Sequence, residues 1–201
     1  MSWAARQFCA GLVLAVFLCP CARAAAVTAT PVALEPENIP PGYTFDMDVA
    51  MQMHHFPWLR FNLQGTGEYT PGQSYKVSFT KTPWFVPKQT SGMDLSMIDP
   101  LLWPQHYTYA QLGTRDGMTM YSLHAIDDPT MQGATVGLGP QACTRTIDAN
   151  YANGTHIHMK ITPAMVDGFL LPQTLTADID EPHLSLSADA AFKNYAFSAP
   201  L

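Results

Sequence analysis

A chain of 201 residues with 47% hydrophobic content and near-zero mean hydropathy is long enough for one compact domain and too apolar for a disordered protein. Charged residues make up only 13% and the formal net charge is −6, which argues against nucleic acid and anionic membrane surfaces as partners, since both attract basic patches. The 17 prolines and 13 glycines scatter turn and boundary signals along the chain, so the composition points to β structure rather than a helical bundle.

The opening stretch, MSWAARQFCAGLVLAVFLCPCARAAA, has an arginine near its start, an apolar run from Phe8 to Leu18 and then small residues. That pattern predicts a secretory signal peptide over residues 1–24, with Ala24 or Ala26 preceding the cut, and hence export. The apolar run is shorter than a membrane span requires, and no later segment could cross a bilayer, so no stable membrane span is expected. Leu18 before Cys19 and Pro20 before Cys21 disfavour acylation of either cysteine. Cys9, Cys19 and Cys21 leave with the signal, and Cys143 remains with no internal disulfide partner. A lone thiol of this kind is usually buried and inert. Loss of Arg6 and Arg23 makes the exported chain more acidic by two charges, from −6 to −8. Residues 25–44 are proline-rich without periodicity and read as an extended leader, which leaves one ordered domain over 45–201.

Within FDMDVAM, Phe45, Met47, Val49 and Met51 share one face, and Asp46, Asp48, Ala50 and Gln52 share the other, the signature of a half-buried strand. Pro57 ends or bulges that run because it has no ladder N–H. Alternation resumes with Leu59, Phe61 and Leu63, and TPGQ at 70–73 turns the chain into a strand carrying Tyr75, Val77 and Phe79. From Met93 the period changes: Met93, Met97 and Leu101 recur every four residues, with Ile98, Leu102 and Trp103 alongside. This is an apolar helical stripe, and Asp99-Pro100 has the character of an N-cap and first-turn proline, so two short helical pieces are expected to meet there. After Tyr107 the strand pattern returns to the end of the chain, with turns at Arg115-Asp116-Gly117, Asp128-Pro129 and Asn153-Gly154. Nine to eleven strands in all favour a strongly curved sheet or barrel.

Two segments concentrate potential metal ligands. In MQMHHFPW, Met51 and Met53 lie opposite His54 by strand parity, and only His55 shares their side. A Met/His site would suit copper. The same region nevertheless uses methionine wherever alternation demands an apolar residue, so adaptable core filling is the simpler reading. In THIHMKI, His156 and His158 sit two apart on one strand face and could chelate copper or zinc with a third ligand, but Ile157, Met159 and Ile161 claim the inner face and turn the histidines toward solvent. His106, His124 and His183 lack nearby partners in sequence. No nucleophile elbow, phosphate loop, H-E-x-x-H or C-x-x-C follows the signal, and no cofactor is implied. A carboxylate pair brought together only by folding would make a hydrolase, which the sequence leaves open.

Taken in order, PWLRFNLQGTGEYTPGQSYKVSFT, the short helical stretch, YTYAQLGTRDGMTMYSLHAID and NYANGTHIHMKITPAMVDGFLLPQTLTADI resemble the periplasmic outer-membrane lipoprotein-sorting and carrier (LolA-like) superfamily. The resemblance spans Phe45 to Phe197 and includes the closing AFKNYAF. It implies an α+β, β-rich fold: a curved antiparallel sheet forming an incomplete barrel covered by short helices. It also implies a non-enzymatic, monomeric carrier or sensor whose apolar cavity takes lipid acyl chains or a lipidated protein. On this chain the candidate lining is Leu59, Phe61, Leu63, Tyr75, Val77, Phe79, Tyr121, Leu123, Ile157 and Met159 from strands, with Met97, Leu101, Leu102 and Trp103 from the helical stripe. The same residues would equally well fill a dry core. The carrier's cavity arginine has no counterpart that a motif places here, because only Arg60, Arg115 and Arg145 follow the signal. The competing reading is an envelope metal-binding protein using His156 and His158, or His54 or His55 with methionine.

Overall fold

The computed structural model describes residues 39–73, 75–81, 96–182 and 185–198. The predicted signal peptide, residues 25–38 of the leader, Met93 and His183 lie outside the described residues. Ten strands fall within the described residues: β1 Tyr43–Met53, β2 Arg60–Tyr69, β3 Lys76–Lys81, β4 Tyr107–Arg115, β5 Met118–Ala125, β6 Met131–Leu138, β7 Thr144–Tyr151, β8 His156–Val166, β9 Phe169–Asp180 and β10 Ser185–Phe197. They form one sheet in the order β3-β2-β1-β10-β9-β8-β7-β6-β5-β4, with antiparallel pairing throughout. β3 and β4 are the two edges and do not pair, so the barrel is incomplete, as the sequence led us to expect.

Alternation decides which face is buried. Along β1, Tyr43, Phe45 and Met47 are buried while Thr44, Asp46 and Asp48 lie on the other face, and on β2 Leu63, Gly65, Gly67 and Tyr69 alternate with exposed residues. The first strand starts two residues ahead of the expected Phe45, because Tyr43 pairs with both Tyr69 and Phe197. Pro57 sits in the turn that ends β1. The β4–β5 connection puts Asp116 and Gly117 at φ 51° and 75°, and the β8–β9 connection puts Asp167 and Gly168 at 48° and 92°. Both are tight hairpins whose left-handed residues match the twist of the flanking strands.

One helix falls within the described residues, the single turn α1 Trp103–His106. Two helical pieces were expected about Asp99-Pro100, and the difference has a simple cause. A helix begun at Pro100 cannot run on through Pro104, which has no N–H for the Pro100 carbonyl, and residues 96–102 form successive turns instead. Asp99 does cap a turn: its Oδ1 accepts from the Leu101 amide at 3.0 Å and its carbonyl accepts from the Leu102 amide. Trp103 is fully buried, donates its indole N–H to the Met97 carbonyl at 3.1 Å, and meets Tyr121 and Tyr109 edge-on.

The inner face carries two clusters. One gathers Trp103, Leu123, Val136, Ile147 and Ala149 beneath the 96–106 segment; the other is aromatic and gathers Tyr43, Phe45, Tyr69 and Leu171, with half-buried Tyr75, Val77, Phe79 and Phe192 against it. Gly67 lies opposite Phe45 in register, and a Cβ there would stand 2.0 Å from the Phe45 ring. The ring therefore lies across bare backbone. Gly67→Ala should cost about 1–3 kcal/mol by overpacking, read as a lower urea midpoint. In a Phe45→Ala background the same change should cost markedly less, because contacting sites are not additive.

Candidate functional site

The sequence-derived lining splits by depth. Leu63, Met97, Leu102, Trp103, Tyr121, Leu123 and Met159 are buried at 9% exposure or less, already enclosed by protein. Leu59, Phe61, Tyr75, Val77, Phe79, Leu101 and Ile157 are half-buried. Phe61 belongs to β2, and Val77 and Phe79 belong to β3, which among the described residues pairs only with β2. Their side chains form the floor of an apolar strip on the inner face.

A cleft of about 80 Å³ opens where the two clusters meet. Its walls include Tyr43 from β1, Tyr69 from β2, Tyr75 just before β3, Asp99 from the 96–106 segment, Thr144 from β7 and Leu171 from β9. In the sheet order Tyr75 and Thr144 belong to strands six places apart, about 29 Å in a flat sheet at ~4.8 Å per strand. Only tight curling brings them to one cleft. The Thr144 hydroxyl reinforces the junction by donating to the Ile98 carbonyl at 2.7 Å.

Three phenols and one carboxyl give the cleft its chemistry. Tyr43 stacks on Tyr69 at 4.8 Å, Tyr69 meets Tyr75 at 4.9 Å, and the Tyr43 and Tyr75 hydroxyls are 3.1 Å apart. Burial pushes all three phenols far above the ordinary tyrosine range, so they stay neutral hydroxyls. Asp99 is 6% exposed, and burial raises its carboxyl pKa against the smaller opposing effects of the Leu101 amide and the Tyr69 phenol. Its Oδ2 has no hydrogen bond of proper distance and angle, although the Tyr69 phenol is near enough to hold the pKa partly down. Cys143 also lines the cleft, and burial raises its thiol, which makes it a poor nucleophile. Sequence reading took Asp99 for a cap alone; the signal it missed is that a cap uses one carboxylate oxygen and leaves the other to its surroundings.

The histidines lie elsewhere. His156 and His158 are exposed on the outer face, and His158 Nδ1 is 2.5 Å from Asp148 Oδ1 across β7 and β8. His54 belongs to the β1–β2 turn, so strand parity with Met51 and Met53 no longer applies to it. Its Nδ1 donates to Ser185 Oγ at 2.6 Å, and Ser185 donates onward to Asp180 at 2.5 Å. With its proton directed to Asp180, Ser185 is not activated by His54. Among the described residues, no three His, Cys, Asp or Glu side chains converge as metal ligands.

No family model matches the sequence, and no curated protein matches it. Solved structures do match in shape. A LolA superfamily protein from Nitrosomonas europaea aligns over 84% of this chain and 90% of its own, with a TM-score of 0.58 at 9% identity. An outer membrane lipoprotein-sorting protein domain from Vibrio parahaemolyticus aligns over 80% and 87%, with a TM-score of 0.57 at 11% identity. The chain has the LolA-like fold. A DUF1329 family protein from Desulfovibrio piger shares it as well, at a TM-score of 0.59 and 7% identity over 82% of this chain and 88% of that one. At such identities the LolA-like likeness is one of architecture, carried by strand order and curl rather than by shared side chains.

The buried carboxyl makes stability pH-dependent. A folded-state pKa raised above the unfolded value means that the native state holds the proton more tightly, so stability falls as pH climbs from the unfolded carboxylate range through the folded value. Asp99→Asn keeps the Oδ1 acceptor for Leu101 and removes the ionisation. The variant should therefore gain on the native chain between about pH 4 and pH 7, measured as the difference in Tm across that range.

Proposed function

We propose that the protein is an exported, non-enzymatic binding protein that carries or senses lipid acyl chains, or a lipidated protein, on the inner face of its curled sheet. The observation that supports this reading is the half-buried strip of Val77 and Phe79 on β3, an edge strand among the described residues, in a LolA-like fold. Loss of water from a sixteen-carbon chain is worth on the order of 10 kcal/mol at ~0.8 kcal/mol per methylene. Such a gain requires apolar surface that is accessible but not yet enclosed, and the strip has both properties.

The cleft of about 80 Å³ is far below the ~300 Å³ at which small-molecule pockets begin. An acyl chain therefore has to lie along the strip or displace side chains rather than enter a preformed tunnel. Methionines at Met97, Met131 and Met159 around the neighbouring cluster suit repacking, because an unbranched thioether adapts to changed shape. The place of action follows from the signal-like first segment and from the lipoprotein-sorting neighbour: we assign the protein to the periplasm, as a monomer. No helix among the described residues is long and apolar enough to cross a membrane.

Mass spectrometry of protein purified under native conditions should find co-extracted lipid, and a fluorescent fatty-acid probe should bind saturably. Val77→Asp places a carboxylate on the strip and should weaken probe binding at least about tenfold, since an unpaired charge in apolar contact costs well over 1.4 kcal/mol. The outward-facing Thr176→Asp should leave it unchanged. Absence of both lipid and probe binding in the folded native chain would overturn the reading.

A further inference from the structure

We propose that the tyrosine cleft is a binding site for a primary ammonium group. Asp99 lines the cleft and is 6% exposed, its Oδ1 is committed to the Leu101 amide, and its Oδ2 is buried without a hydrogen bond of proper distance and angle, the Tyr69 phenol close by. None of the ion pairs among the described residues includes Asp99. A buried acceptor left in this state is costly, and a donor carrying positive charge relieves both the missing hydrogen bond and the missing counter-charge.

The shape of the cleft selects among cations. A guanidinium binds best through two parallel hydrogen bonds to both carboxylate oxygens, and only one oxygen is free here. A hard metal ion needs several charged oxygen ligands, and the remaining oxygens are neutral phenols. An ammonium carries three N–H donors at tetrahedral angles. One can reach Asp99 Oδ2 and the other two can reach two of the phenolic oxygens of Tyr43, Tyr69 and Tyr75. The rings also present π surface to a cation. At about 80 Å³ the space is well below the ~150 Å³ cavity that admits benzene, so it suits an ammonium on a short methylene stem. Ile98 and Leu171 supply apolar walls for that stem. The amine could belong to a free small molecule or to an amino lipid headgroup, whose chains would then lie outside the cleft.

Calorimetric titration of ethylammonium chloride into the intact chain at neutral pH tests the site. Saturable binding is expected, with none for tetramethylammonium chloride, which has no N–H. Asp99→Asn should weaken ethylammonium binding at least about tenfold, as loss of a charge-assisted hydrogen bond does. Tyr75→Phe, which keeps the ring and removes the hydroxyl, should weaken it less and decides the matter if the Asn variant fails to fold. Monomeric lysophosphatidylethanolamine bound in preference to lysophosphatidylcholine, with the preference lost in the Asn variant, identifies a lipid headgroup as the source; equal binding of the two identifies a free amine. No saturable heat with ethylammonium, equal binding of both small cations, or undiminished binding by Asp99→Asn overturns the proposal and leaves the cleft to water. Acyl-probe binding is measured separately, so either site can fail without the other.

Discussion

An antiparallel sheet that curls without closing has an inner face to cover, and one segment meets that demand. β3 lies on one edge and β4 on the other, and residues 96–106, which lead into β4, lie over the inner face. Trp103 fixes them there. Its ring is fully buried between the segment and the Tyr121 and Tyr109 rings, and its indole N–H ends on the Met97 carbonyl of the same segment. Because the side chain is apolar over its body and polar at one edge, a single residue both clamps the cover to the sheet and satisfies a backbone acceptor beneath it.

Residues 96–106 also bring in the one buried carboxyl among the described residues. Residues 96–102 form turns rather than a regular helix, and turns need side-chain acceptors for their free amides. Asp99 supplies one such acceptor to Leu101. Curling then carries the tyrosines of β1 and β2 up to the same carboxyl, whose second oxygen stays unmatched. The polar cleft is thus a consequence of sheet curvature combined with an irregular cover, and its cost is offset by the surrounding aromatic packing of Tyr43, Tyr69, Tyr75 and Tyr195.

The outer face obeys different chemistry. Lys193 pairs with Asp48, Asn194 with Asp46 and His158 with Asp148, all across neighbouring strands and all open to water. Pairs of this kind contribute little to stability because water screens them, but they mark which side of the sheet is wet. Glycine shapes the inner face in the opposite sense. At Gly67 the absence of a side chain leaves room for the Phe45 ring, and this pairing of bare backbone with an aromatic lets the aromatic cluster lie close against β2.

Much of this was legible in the residues. Alternation in FDMDVAM, KVSFT and HIHMKI assigned the inward side chains correctly because a strand has a fixed period of two, and Asp116-Gly117 and Asn153-Gly154 announced hairpins because few other residues tolerate left-handed backbone. The strand count follows from the same local rules applied in sequence, whereas the incomplete barrel was implied by the LolA-like resemblance. The helical stripe was legible only as an apolar surface: its spacing was right for burial, but two prolines overruled the period. Asp167-Gly168 carried the same turn signal as Asp116-Gly117 and was not read as one. What tertiary structure alone decided is which residues meet. Tyr75 and Asp99 are separated by an unpaired edge, and Tyr75 and Thr144 by six strands, and nothing local encodes the curvature that joins them. Side-chain direction is set within a few residues by backbone geometry; the depth of a residue, the fate of a second carboxylate oxygen and the size of a cleft are set by how far the whole sheet bends.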